Sequence, residues 1–245
     1  MKPATPRLAA VMGIVFSVLF VAALVVVDAV PHLGDPDTVY GAFYDGAGNA
    51  VVTAVALYLV PLAGIAFLWF VVALRSVLDT LAPAPSAMAH GLNLLSGVVF
   101  VALLFAGTAA LATPVFLTTL GGGAPLAPEA SRALTALGFG LVFVFSVRGA
   151  GMFALTTTTL LRGAGVMPRG VAVVAYLLAA WLLLTATDHP ASLLVLPAWV
   201  LIVAVVLLRH DRRARSTPAN PTDDTTAGPV GSRDPRPDAR PETTR

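Results

Sequence analysis

The sequence predicts an all-α polytopic membrane protein: a bundle of six transmembrane helices with a disordered C-terminal tail. Three observations predict it. Hydrophobic residues make up 57% and charged residues 11% of the chain, against about half and a quarter in soluble globular domains. The ionisable groups are also unevenly placed, sparse up to Leu208 and dense from Arg209 to Arg245. Finally, the apolar stretches are about as long as the ~20 residues that a helix needs to cross a ~30 Å hydrocarbon layer.

Six stretches meet that length, at 8–30, 49–74, 91–113, 133–161, 170–187 and 191–208. They predict a membrane domain over 1–209 and a polar tail over 210–245. Helix is the expected form because a spanning segment must satisfy its own backbone groups, and these runs lack the alternation of barrel strands. Lys2 and Arg7 before the first run resemble the start of a signal peptide, but the apolar run exceeds such a segment and no A-x-A site follows. It is expected to stay as the first span. Between spans one and two, DPDTVYGAFY offers Asp35 as a cap and Pro36 at a first helical position. Val39, Tyr40, Phe43 and Tyr44 then share one face, which predicts a short helix in the interface. APAPS and GGGAPLAPE are turn-rich connections. Spans five and six are joined by Asp188, His189 and Pro190 as a tight hairpin, and the Pro-, Thr-, Asp- and Arg-rich tail has too few apolar residues to order itself.

Charge placement orients the chain. With the N-terminus inside, the inner segments hold Lys2, Arg7, Arg75, Arg162, Arg169, Arg209, Arg212, Arg213 and Arg215, whereas Arg132 is the basic residue of the outer ones. Asp35, Asp37, Asp45, Glu129 and Asp188 fall outside. The positive-inside rule therefore predicts a multi-pass protein of a bacterial plasma membrane with both termini cytoplasmic. Arginines at span ends account for the net charge of +2 without a nucleic-acid partner. Cys is absent, which excludes disulfides and thiolate chemistry.

The candidate site centres on Arg148, a full charge inside an apolar span. A central charge costs at least about 2.5–3.5 kcal/mol and is expected to face the bundle interior or a wet cavity. Leu141, Leu155 and Thr159 share its face, and Gly149 and Gly151 permit close approach of another helix. Asp28 lies too far along span one to pair with it. Pro61 has no N–H for the Leu57 carbonyl, so that oxygen is the expected acceptor at the depth of Arg148. Ser17, Tyr58, Ser96 and Thr108 supply further polar groups. The ligand-binding set predicted on this basis is Arg148, Pro61, Tyr58 and Thr159, holding the anionic group of a lipid or another amphiphile. The competing reading makes Arg148 a structural tie.

His32, Asp35, Asp37, Asp188 and His189 lack a tight ligand spacing, so no metal is expected. His90 has no histidine partner in a facing span, so no haem or other cofactor is expected either. The run Thr156 to Thr159 is expected to bond back to its own helix. No GxSxG, P-loop or HExxH pattern occurs, which argues against an enzyme. From Arg148 onward, Met152-Phe153, Pro168-Arg169 and Pro197-x-Trp199 resemble a segment of uncharacterised six-span membrane proteins of actinobacteria, whose tryptophan after Pro-Arg is Gly170 here. The resemblance implies six spans and no particular chemistry.

The sequence thus points to a scaffold or a lipid- or amphiphile-binding membrane protein, with a small permease or exporter subunit as the alternative. Its expected partners are membrane lipids, other proteins or further copies of itself. Cysteines introduced at Thr38 and Gly122 should react with an impermeant reagent on intact cells, and one at Ala84 should not. Labelling at Ala84 in sealed cells would overturn the orientation.

Overall fold

The computed structural model describes residues 5–27, 34–36, 38–39, 48–81, 87–123, 126–184 and 193–216. Among them are six long helical runs: α1 (Pro6–Val27), α2 (48–81), α3 (Ala87–Thr119), α4 (128–163), α5 (Arg169–Leu184) and α6 (Val195–Ser216). Both α2 and α4 contain a π-helical turn, Val55–Leu59 in the first and Gly140–Ser146 in the second. Four helices are long and apolar enough to cross a membrane: α1, α2, α3 and α4. Their outward faces are apolar too, with Val18, Val25, Ile65, Trp69, Val72 and Leu95 exposed. A helix apolar on every side belongs in a hydrocarbon environment.

Consecutive helices pack side by side, and α6 returns against α1, so the chain closes a ring in sequence order. Directions alternate, as the pairs of facing residues show. Gly13 of α1 meets Phe70 of α2, Gly64 of α2 meets Phe105 of α3, Gly149 of α4 meets Phe100 of α3, and Gly151 of α4 meets Leu183 of α5. Arg7, Arg75, Arg162, Arg169 and Arg209 consequently lie toward one end of the bundle, which we call the arginine-rich end. The two close approaches anticipated at Gly149 and Gly151 are both present. The tightest backbone approach joins α3 to α4, where a Cβ on Gly107 would lie 3.0 Å from the Gly138 carbonyl and one on Gly138 would lie 2.8 Å from the Gly107 carbonyl.

Inside the ring, aromatic rings meet. Phe67 of α2 lies 4.9 Å from Phe16 of α1, 4.9 Å from Phe100 of α3 and 5.1 Å from Phe153 of α4, measured between centroids. Trp199 of α6 joins through Phe153 at 5.8 Å. Edge and tilted contacts of this kind add about 0.5–1.5 kcal/mol per pair beyond area burial.

Several boundaries differ from those expected. Span three was expected to stop at Thr113, before Pro114, yet α3 continues to Thr119 with Pro114 buried inside it. The hydroxyls of Thr113, Thr118 and Thr119 donate to carbonyls of this last stretch, which supports a backbone that proline leaves short of a donor. At its start α4 reaches back to Pro128, which occupies the first turn next to Glu129. The last helix, α6, runs on to Ser216, past the expected end of its span at Leu208. Asp211 holds this extension, accepting from the Arg7 Nε at 2.8 Å and from Arg215 at 3.2 Å. After Pro36 only part of the expected interfacial helix is described: Thr38 and Val39 are helical, and the Val39 N–H donates to the Pro36 carbonyl at 3.0 Å. Tyr40, Phe43, Tyr44, the APAPS loop, the 188–190 hairpin and the chain after Ser216 lie outside the described residues.

Partial burial of Asp211 opposes its ionisation, but hydrogen bonds and positive charge from Arg7 and Arg215 outweigh this and hold its carboxyl below the ordinary value of 3.8. A depressed carboxylate contributes stability that is present above its unfolded value and is lost as pH falls through its folded one. Asp211→Asn should therefore melt below wild type at neutral pH, and the two melting curves should converge on acidification below 3.8. Thermal unfolding in detergent across that range checks it, and a gap that widens on acidification would contradict it.

Candidate functional site: an apolar cavity and a polar hub

Arg148 is partly buried, and its Nη1 donates to the Val144 carbonyl of its own helix at 2.6 Å. Two residues earlier, the Ser146 hydroxyl donates to the Val142 carbonyl at 2.7 Å. Both acceptors belong to the π turn Gly140–Ser146, where the widened backbone ladder bonds less favourably than an α-helix. Arginine and serine thus act as side-chain clamps on that turn. The Leu57 carbonyl, expected to receive Arg148, belongs to α2, and α3 packs against both α2 and α4 between them.

The other predicted site residues are dispersed. Tyr58 points outward from α2 and is 64% exposed. Pro61 sits one residue past Val60, the residue that ends the π turn Val55–Leu59 and whose N–H reaches the Val55 carbonyl. Thr159 is exposed and shares a hydrogen bond with the Tyr176 hydroxyl of α5 at 3.1 Å. Ser17, Ser96 and Thr108 each donate to a carbonyl of their own helix. The structure does not bring Arg148, Pro61, Tyr58 and Thr159 into one site.

The threonine run does more than bond back to its own helix. Asn93 of α3, buried, donates its amide to the Thr157 hydroxyl at 2.7 Å and to the Thr156 hydroxyl at 3.0 Å. The Trp199 indole of α6 donates to Thr158 at 3.3 Å, and Thr159 reaches α5. Four consecutive hydroxyls, about 100° apart around α4, therefore point to three different neighbours. Successive side chains on one helix diverge, so a polar run becomes a hub when the helix is surrounded. The signal available in the sequence was the pairing of this run with Asn93, an asparagine inside the third expected span.

Toward the arginine-rich end, the buried His90 Nε2 lies 3.7 Å from an Asp79 carboxylate oxygen, beyond hydrogen-bond reach. Among the described residues no three histidines or acids gather as a metal site. Of the outer polar group, His32, Asp37, Asp188 and His189 lie outside the described residues, as does Asp28, and the Asp35 backbone carbonyl accepts from Arg132 at 3.5 Å.

Away from the arginine-rich end, the ring is not filled. Between α1, α2, α3 and α4, with Leu193 beside α6, lies a cavity that with its open side contains ≈ 850 Å³ of empty space. Phe20, Leu24, Val55, Leu104, Phe139 and Phe143 are among its apolar lining, and Thr108 and Thr135 are its polar residues. The Thr108 and Thr135 hydroxyls donate to the Leu104 and Ser131 carbonyls, so neither offers its proton to the cavity. Both π turns contribute to the wall, α2 through Val55 and Ala56, α4 through Val142 and Phe143. Arg148 is not part of the lining. A π turn shifts the facing of every residue after it, so the two turns adjust which side chains meet the hollow.

The chain matches no protein-family model, no curated protein and no solved structure.

Proposed function

We propose that this chain is a non-enzymatic integral membrane protein that holds the hydrocarbon chain of a lipid or similar amphiphile in the cavity between α1 and α4. The single observation carrying this reading is the cavity itself, apolar except for two internally bonded threonines, with ≈ 80 Å³ open to the centre of a water-sized sphere. That is room for several water molecules, and so for a short stretch of methylenes, and its chemistry suits the end of an alkyl or prenyl chain rather than polar solutes. In the proposed arrangement all six helices cross a bacterial inner membrane with the arginine-rich end in the cytoplasm. The cavity then lies in the outer half of the bilayer, since Phe20 stands about 21 Å along α1 from Pro6 at ~1.5 Å per residue.

Within a bilayer, moving a chain from lipid tails into protein gains little from the hydrophobic effect. The driving force is packing: an empty apolar hollow forgoes dispersion contacts that a chain of matching shape restores. Selectivity for chain length and branching follows from such shape matching. The Arg148 guanidinium is assigned a structural part, because its one hydrogen bond among the described residues clamps the π turn behind the cavity wall.

Native mass spectrometry on protein purified in mild detergent tests this reading. Leu24→Trp and Thr135→Phe place bulk in the cavity and should reduce retained lipid about tenfold or more, equivalent to ~1.4 kcal/mol of binding. Arg148→Gln should keep the lipid. Loss of lipid in Arg148→Gln with retention in both filled variants would transfer the site to the arginine.

A further inference from the structure

We propose that the hydrocarbon chain enters this cavity sideways from the bilayer, through a portal between α2 and α3; the proposal rests on the cavity being a hydrocarbon site. A second hollow, a groove that with its open side contains ≈ 330 Å³ of empty space, lies between these helices and is lined by Leu57, Pro61, Phe105, Ala109 and Phe116 together with Ala56, Val60 and Thr108. Ala56, Val60 and Thr108 also line the main cavity. Three modest side chains therefore stand between the groove and the cavity.

The groove is continuous with the face that the bundle turns toward lipid. Leu57 is 40% exposed and Ala109 is exposed, and Leu62 and Ile65 extend the same apolar surface along α2. Its walls carry no charged residue and one hydroxyl, Thr108, already donating to the Leu104 carbonyl. The occupant such a surface selects is the alkyl chain of a bilayer amphiphile. A headgroup or a water-soluble ligand would find no partner along this path.

The wall is also locally soft. Ala56 belongs to the π turn of α2, Val60 follows it at once, and Pro61 supplies no N–H to the ladder behind them. A helix interrupted in this way shifts register more easily than a continuous α-helix, so the Ala56 and Val60 side chains can swing without unfolding α2. At the groove's edge, the Phe105 ring packs so tightly on Gly64 that no Cβ would fit there. That contact anchors α2 to α3 at one end of the groove and confines the motion to the portal.

The test separates entry from binding. Protein in phosphatidylcholine nanodiscs is mixed with vesicles containing a diazirine-bearing phosphatidylglycerol, irradiated at successive times, and the adducts on cavity residues are mapped by mass spectrometry. Ala109→Trp and, on the facing wall, Leu57→Trp obstruct the groove without lining the cavity, and Ile65→Trp adds the same bulk outside both hollows. The expected result is a wild-type plateau of cavity adducts that either groove variant reaches about tenfold more slowly, with Ile65→Trp matching wild type. Wild-type rates in both groove variants would overturn the portal while leaving the cavity reading intact. A lowered plateau at an unchanged rate would overturn it too, making the groove part of the binding site. Absence of cavity adducts in wild type would reject the cavity reading and the portal with it.

Discussion

The structure depends on how its aromatic residues are distributed along the bundle axis. Phe16, Phe67, Phe100, Phe153 and Trp199 come from five helices in all with Phe70 beside them, and they meet in one layer. Rings of this size fill the centre of a six-helix ring, which smaller aliphatic residues would leave open. Beyond Phe20 no comparable group projects inward from α1, and the lining there is Ala23, Leu24 and Val27. A ring of helices whose diameter is set by one bulky layer must be hollow where the bulk stops, unless a helix tilts in to close it. The Gly107–Gly138 approach keeps α3 on α4 and so fixes that diameter on one side.

Several polar groups in this bundle join one helix to another. The Asn93, Thr156, Thr157, Thr158 and Trp199 hydrogen bonds tie α3, α4 and α6 beside the aromatic layer. Ser17 adds a link between α1 and α6 by donating to the Pro197 carbonyl at 3.3 Å. At the arginine-rich end Arg7 and Asp211 join the first and last helices, closing the ring that the chain order begins. In hydrocarbon, apolar contact between helices has no solvent to exclude, so close glycine packing and directed hydrogen bonds carry much of the specificity. Arg148 bonds within its own helix, donating to the Val144 carbonyl of the π turn that forms part of the cavity wall.

Much of the architecture was legible in the sequence because membrane helices announce themselves by length. The apolar runs located all six helical runs, and the arginines predicted which ends lie together. Helix ends were harder to read. Pro114 signals a stop in water, but its helix continues where threonine hydroxyls support the neighbouring carbonyls. Arg209 to Ser216 looked like tail because its charges are visible in sequence, whereas the partner that orders Asp211 is Arg7, some two hundred residues away. The candidate site was the least legible part. Arg148 drew attention as a lone charge, yet a guanidinium can be accommodated by its own helix when a π turn presents a carbonyl. A cavity leaves no motif at all. It is defined by which apolar residues from several helices fall at one depth, and that alignment exists only after the ring has closed.

The central claim is that the hollow beyond the aromatic layer is a hydrocarbon-chain site and not an unfilled space. A photoreactive amino acid at Val55, which is 5% exposed and lines the cavity, compared with one at Val72, which is 57% exposed on the outer face, tests it most directly. Both proteins would be purified from native membranes, washed extensively with detergent, irradiated and weighed intact. A bound chain predicts a discrete lipid adduct at position 55 that survives washing, and at position 72 an adduct that washing removes. Equal loss at the two positions would contradict the account.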